Sequence, residues 1–151
     1  MRRKDRLIES TAEVEQVLNE EELGYLATCG QDGQPMATPV NYIYLDGKII
    51  FHCALAGRKL DSIRANPKVG FTVVRDVAID RIEMTSYYTS VMAEGEARII
   101  EEPEEKKAAI AALTERLAAP GELCSDSEGR RTCMVEIRVI ALSGKRNRPK
   151  Q

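Results

Sequence analysis

Asp46-Gly47, set between the runs MATPVNYIYL and KIIFHCA, is the feature that most restricts how this chain can fold. Both positions of such a pair tolerate positive φ, as a two-residue turn between antiparallel strands requires. The spacing predicts a hairpin with strands over 36–45 and 48–54. Val91, Ala93, Gly95, Ala97 and Ile99 alternate with Met92, Glu94, Glu96 and Arg98, which predicts a half-buried strand with one apolar and one charged face. Val135, Ile137 and Val139 alternate with Glu136 and Arg138 in the same way within MVEIRVIAL. LGYLATC and VGFTVV read as two more strands, QDGQP as a turn, and RDVAIDRIEMTSYY as extended chain with a loop.

Helical signals are fewer. Ser10 and Glu13 have capping-box spacing, and Val14, Val17 and Leu18 follow at helical intervals, so a helix is predicted over 11–22. Leu60 and Ile63 form the apolar side of a short helix that starts after Gly57 and stops at Asn66-Pro67. Pro103, with Glu104 and Glu105 behind it, opens a third, whose Ile110, Leu113 and Leu117 share a face. PGELCSDSEGRR reads as a flexible loop and the basic end, GKRNRPKQ, as a solvated terminus. Short strands with no strand–helix–strand rhythm predict a mainly β protein of the α+β class, its antiparallel sheet closed into a small barrel with helices at the edges.

Length and charge narrow the function classes. The 151 residues, 1–151, are expected to form a single domain. The net charge of −2 comes from intermixed acids and bases, which argues against a nucleic acid or an anionic membrane as partner. No stretch approaches the roughly 20 apolar residues that span a bilayer, and MRRKDRLIES has no apolar core for secretion, so a cytoplasmic location is expected. Cys29, Cys53, Cys124 and Cys133 form no CxxC pair, and there is one histidine; free thiols and no metal site are expected.

The stretch FHCALAGRKLDSIRANP carries the candidate site. Cations in the first turn of a helix are disfavoured by roughly 0.3 to 1 kcal/mol each, because the free N–H groups already make that end positive. Arg58 and Lys59 at this end point to an anion there: Gly57 would allow close backbone approach, and the two side chains would neutralise a phosphate. A solvated pair on a helix surface is the other reading. His52 has Ile50 and Ala54 on its face and Phe51 and Cys53 on the other, so a central strand and an at least partly enclosed histidine are expected, either a satisfied core or rim group or a catalytic one. Pro39, which cannot donate to a ladder, marks either an edge strand or a place where a ligand meets the backbone beside Thr38 and Asn41. Thr89 and Ser90 are small hydroxyl donors at the start of a later strand, as turn residues or as ligand contacts. G-x-S-x-G is absent, and no Ser/His/Asp spacing supports nucleophilic catalysis.

The order of these pieces, with FHxAxxGRKxDxIRxNPxV as the densest part and YYTSVMAEGEARII and ALSGK later, resembles the pyridoxamine-phosphate-oxidase-like FMN-binding split barrels, and within them the Nim-type proteins of 5-nitroimidazole resistance. The resemblance covers nearly the whole chain. It implies an antiparallel six-stranded split β-barrel with flanking helices, and a homodimer with flavin at the subunit interface. It places Pro39, Val40, Asn41 and Tyr42 against the flavin ring through backbone contacts and His52 facing the flavin. Gly57, Arg58 and Lys59 fall at the FMN phosphate and Ser90 at the cofactor from the later strand.

The implied activity is that of an FMN-dependent oxidoreductase, with FAD as the alternative cofactor. It would pass electrons from NAD(P)H or another reduced donor to a small acceptor such as a nitro compound or quinone, with His52 as the candidate catalytic residue. A flavin-binding redox sensor or carrier without turnover is the rival reading, and a barrel for another phosphorylated ligand, haem-linked or deazaflavin, is a third. The chain lacks the C-terminal extension and the Arg-Leu-x-Pro segment of true pyridoxamine phosphate oxidases, so oxidation of pyridoxamine phosphate is not expected.

Overall fold

The computed structural model describes residues 4–122, 124–126 and 129–149; the chain ends and three positions of the 120–131 loop lie outside the described residues. A 3-10 turn, Lys4–Arg6, and a two-residue strand β1 (Leu7–Ile8) precede helix α1 (Thr11–Glu20). The chain continues through β2 (Leu23–Cys29), β3 (Pro35–Asn41), β4 (Ile43–Leu45), β5 (Lys48–Ala54) and α2 (Arg58–Ala65). It ends with β6 (Lys68–Asp80), β7 (Thr85–Ile99), α3 (Pro103–Leu117) and β8 (Thr132–Asn147). The architecture is mainly antiparallel sheet with three helices, and the strands number eight where six were expected.

Local chemistry explains most boundaries. The Ser10 hydroxyl accepts the Glu13 N–H at 3.3 Å and caps α1, while the Glu102 carboxylate accepts the Glu105 N–H at 2.7 Å just before Pro103 opens α3. Asp46 and Gly47 have φ of 49° and 76°, the left-handed pair that the turn between β4 and β5 demands. Between β6 and β7 the Asp80 carboxylate accepts the N–H groups of Ile82 (3.0 Å) and Glu83 (2.9 Å) and so reverses the chain. The stretch read as extended chain with a loop is thus the outer half of one long hairpin, bent by a register shift between Arg75 and Ala78.

Hydrogen-bonded neighbours follow the order β3-β2-β6-β7-β8-β5-β4, with β1 added to β8. The strands at the two ends of this path, β3 and β4, are consecutive in the chain and separated only by Tyr42. The sheet therefore curls until its ends meet at that residue. The single strand predicted over 36–45 changes partner there: the Tyr42 N–H still bonds the Glu22 carbonyl opposite it (3.1 Å), whereas Ile43 pairs with Ile50 of β5, and the Tyr42 ring turns inward.

Inside the curl, Tyr42, Phe51, Phe71, Val73, Val91, Val135 and Ile137 are buried with Val14, Val17 and Leu18 of α1 and Leu60 and Ile63 of α2. Each such aliphatic side chain contributes roughly 1.5 to 3 kcal/mol by leaving water. A second, outer cluster lies under α3, where Ile110 and Leu113 cover Ile43, Ile50 and Met134. Glu136, on the same outer face, is buried but paired with Lys48 (3.0 Å) and Arg98 (3.1 Å).

The end of the chain departs from expectation. Residues 144–147, read as part of a solvated terminus, continue β8: Gly144 pairs with both Val91 and Ile8 and lies buried against Val14. Asn147 pairs with Tyr88, and Arg146 reaches Glu13 at 2.6 Å. Backbone pairing with two strands outweighs the polar side chains, and the buried Asn147 amide donates to the Ser86 carbonyl.

Candidate functional site

Helix α2 begins without a side-chain cap. Gly57 holds φ of 140°, and nothing lies within 4 Å of where a Cβ would stand, so the approach to the free N–H groups of the first turn is open. Arg58 is exposed, and neither it nor Lys59 has a carboxylate partner among the described residues. Asp61, the acidic residue of the first turn, is engaged by Arg64 at 3.4 Å. The Lys59 ammonium lies 5.6 Å from the centre of the Phe51 ring, which steers it back toward β5.

Beside this helix start is a depression of about 400 Å³ lined by Pro39, Val40 and Asn41 of β3, His52, Cys53 and Ala54 of β5, Lys59 and Thr132. The geometry thus brings five of the nine sequence-derived positions to one depression, with Gly57 and Arg58 next to Lys59 in the chain. Pro39 sits on an edge strand opposite Tyr25, so its missing N–H leaves no ladder bond unmade on the open side. The two readings of this proline therefore coincide: it ends the sheet and faces the depression.

His52 is exposed rather than partly enclosed, which corrects that expectation, although β5 is the inner strand expected, lying between β8 and β4. β4 pairs with β5 only from Lys48 to Ile50, so His52, Cys53 and Ala54 are held by β8 alone. Ile50 is covered by α3, but the histidine two residues on lies at the margin of that cover. A second cleft of about 300 Å³, mostly apolar and lined by Ile110, Leu113, Leu117 and Met134 among others, opens on this side. His52 and Thr132 line both cavities and form the partition between them.

Thr132 is fixed from behind. Its hydroxyl donates to the Asp126 carboxylate at 2.7 Å, and that carboxylate also accepts the N–H groups of Arg130 and Arg131, both at 2.9 Å. These bonds, that of Thr132 first, hold the Asp126 carboxyl below the usual carboxylate range. Sequence reading missed Thr132 and Asp126 because they lie at the end of a loop; only the pairing of Thr132 with Ala54 brings them to the site.

Two expected positions stand apart. The Tyr42 side chain is fully buried, its hydroxyl donating to the Leu18 carbonyl at 2.8 Å, so only its backbone is near the depression. Ser90 pairs with Val74 and Lys145, at the opposite end of β8 from Thr132, and a single chain does not carry it to the depression. It lies instead on an uncovered sheet face, where register aligns Pro39, Tyr25, Thr72 and Met92 across four strands. Leu23, Tyr25, Val74 and Met92 are 39 to 47 % exposed there. Thr89, beside Ser90, is buried and receives the Arg146 guanidinium at 3.2 Å.

The pattern of the pyridoxamine 5'-phosphate oxidase family matches residues 10–146. The chain belongs to this family. Among solved structures, a candidate 5-nitroimidazole antibiotic resistance protein from Bacteroides thetaiotaomicron superposes with a TM-score of 0.79 at 20% identity, over 92% of this chain and 85% of the other. A FAD-binding protein from Mesorhizobium loti gives 0.71 at 22% identity, over 95% and 98%. The flavocytochrome Anf3 from Azotobacter vinelandii gives 0.81 at 19% identity, over 99% and 72%. At these identities the likeness is one of fold. No curated protein matches the chain. Among the described residues no helix is long and apolar enough to cross a membrane, and no three His, Cys, Asp or Glu side chains are grouped to hold a metal ion.

Proposed function

We propose that the protein is a flavin-binding oxidoreductase acting as a homodimer, with FMN as cofactor and FAD as the alternative. The observation that carries the reading is the start of α2: an uncapped helix end, an open Gly57 and two cations without carboxylate partners among the described residues, with Lys59 lining a depression of the size that small ligands use. These residues fit a phosphate monoester. Membership of the pyridoxamine 5'-phosphate oxidase family and the flavin-binding descriptions of two similar structures support the same assignment.

In this reading Gly57, Arg58 and Lys59 hold the phosphate, while Pro39, Val40, Asn41 and the Tyr42 backbone flank the ring. When bound, the flavin supplies two-electron transfer between a reduced donor and an acceptor. The apolar cleft under α3 shields an acceptor from water. His52, on the partition, offers a ring N–H or proton toward that acceptor, and Thr132, fixed by Asp126, keeps the partition in place. Ser90 joins the site from a second chain, across the uncovered face that carries Tyr25 and Met92.

The test is to denature the purified protein and identify what it releases. FMN or FAD is expected in the supernatant, and faster bleaching of the bound flavin by NADH or NADPH, with a nitro compound or quinone as acceptor, is expected of the native protein. Absence of flavin, together with failure of the apoprotein to bind added FMN or FAD, would reject the assignment. Bound flavin that is reduced no faster than free flavin would make the protein a carrier or sensor.

A further inference from the structure

Cys53 and Cys133 are free thiols directly opposite each other on β5 and β8. The Val139 N–H donates to the Gly47 carbonyl at 3.0 Å, so this pair is a hydrogen-bonded one, and every second pair along the ladder shares that character. Counting along the register puts Cys53 and Cys133 in a hydrogen-bonded pair too, with Cα atoms about 5.5 Å apart. That separation lies within the range that a disulfide bridges. Both side chains point into the curl. Cys133 is buried at 6 % exposure, whereas Cys53 is half-buried and lines the depression beside Lys59.

From this arrangement we infer that Cys53 and Cys133 form a reversible dithiol/disulfide pair that exchanges with low-molecular-weight disulfides entering the depression. The Cys53 thiolate attacks one sulfur of the external disulfide; that S–S bond breaks, a mixed disulfide forms on Cys53, and one small thiolate leaves. Cys133, deprotonated in turn, attacks the Cys53 sulfur, closes the Cys53–Cys133 bond and expels the second small thiolate. The two cysteines lose two electrons and two protons; the electrons leave with the small thiols. Burial, then Cys133, pushes the Cys53 thiol up to about 11 against the opposing pull of Lys59 and Arg64, so the exchange quickens as pH rises. The order of events follows from exposure, since only Cys53 is open to the depression. The pair stands independently of the flavin assignment, because it needs neither a phosphate nor a ring to form.

The experiment treats the protein as purified, and its Cys29→Ser/Cys124→Ser variant, with dithiodipyridine. The variant is expected to release two thiopyridones per chain, to end lighter than its reduced form by the mass of two hydrogen atoms, and to yield a peptide that joins Cys53 to Cys133. Dithiothreitol should restore the original mass. In the wild-type protein the same linked peptide is sought directly, so poor folding of the variant leaves the test intact. Retention of a pyridyl adduct on Cys53 with Cys133 unmodified, a link between two chains, or thiols that react only after unfolding would each overturn the proposal. Flavin content, measured on the same sample, reports separately on the functional reading.

Discussion

The Tyr42 hydroxyl donates a 2.8 Å hydrogen bond to the carbonyl of Leu18, tying the one residue between the two edge strands of the sheet to the last turn of α1. Leu18 belongs to the final helical turn, where the Val17 carbonyl accepts the Glu21 N–H at 3.2 Å, and the tyrosine caps the next carbonyl from the sheet. Tyr42→Phe leaves that carbonyl buried without its donor. The variant should lose about 1 to 2 kcal/mol, or about 4 °C in midpoint, in thermal and urea unfolding. Flavin affinity should be kept, because the ring faces the core.

Gly95 sits where β7 and β8 approach closely. A Cβ there would stand 2.5 Å from the Arg138 carbonyl oxygen and 2.7 Å from the Ile137 side chain, beside the register shift at Glu94. Gly95→Ala should cost about 1 to 3 kcal/mol by overpacking a site with no flexible neighbour to yield. Gly70→Ala is the comparison, since its Cβ would meet only Ala27 at 3.6 Å. Equal urea midpoints for the two variants would contradict the packing argument.

Alkaline pH should weaken the fold. Burial, then the neighbouring Cys133, pushes the Cys53 thiol up to about 11, against the opposing pull of Lys59 and Arg64. Burial, then its bond to Glu15, raises Tyr44 to about 12, and burial raises Tyr42 further. In the unfolded chain a cysteine titrates near about 8.5 and a tyrosine near about 10. The folded state therefore keeps the neutral forms, and the stability they contribute is full below the unfolded values and lost as pH rises through the folded ones. Urea midpoints under reducing conditions should hold steady to about pH 8 and fall above it, with the first part of the fall removed in Cys53→Ser.

Arg58→Ala and Lys59→Ala should each weaken FMN binding about ten- to a hundredfold, the loss of one charge-assisted hydrogen bond. The midpoint of apoprotein unfolding should barely move, since Arg58 is exposed and without a carboxylate partner among the described residues. Equal losses of affinity and stability would make these cations structural and remove the phosphate site.

Tyr25→Arg on the uncovered sheet face should convert a dimer to a monomer in sedimentation velocity and release flavin. An exposed tyrosine 46 % accessible tolerates the change within one chain, so the monomer should retain its secondary structure. A native chain that already sediments as a monomer would remove the shared site.

Legibility followed the range of the interactions. The capping of α1 by Ser10, the Asp46-Gly47 turn and the opening of α3 at Pro103 were readable because each depends on residues within a turn of one another. The alternation over 90–100 announced both the strand and its buried face. The extension of β8 through Asn147 was not readable, because Gly144 is enclosed by Ile8 and Val14 from the far end of the chain.

The same division runs through the site. Sequence by itself determined the helix start at Gly57-Arg58-Lys59 and narrowed Pro39 to an edge position or a ligand contact, since a misplaced charge and a missing N–H are local facts; the strand order then put Pro39 at an edge. Tertiary structure alone decided that His52 is exposed, through the short reach of β4, and that Thr132 and Asp126 stand behind it. It also set Cys53 against Cys133, which lie 80 positions apart in the numbering yet face each other in one ladder. Register between distant strands follows from the packing of both sheet faces at once, and neither segment carries that information alone.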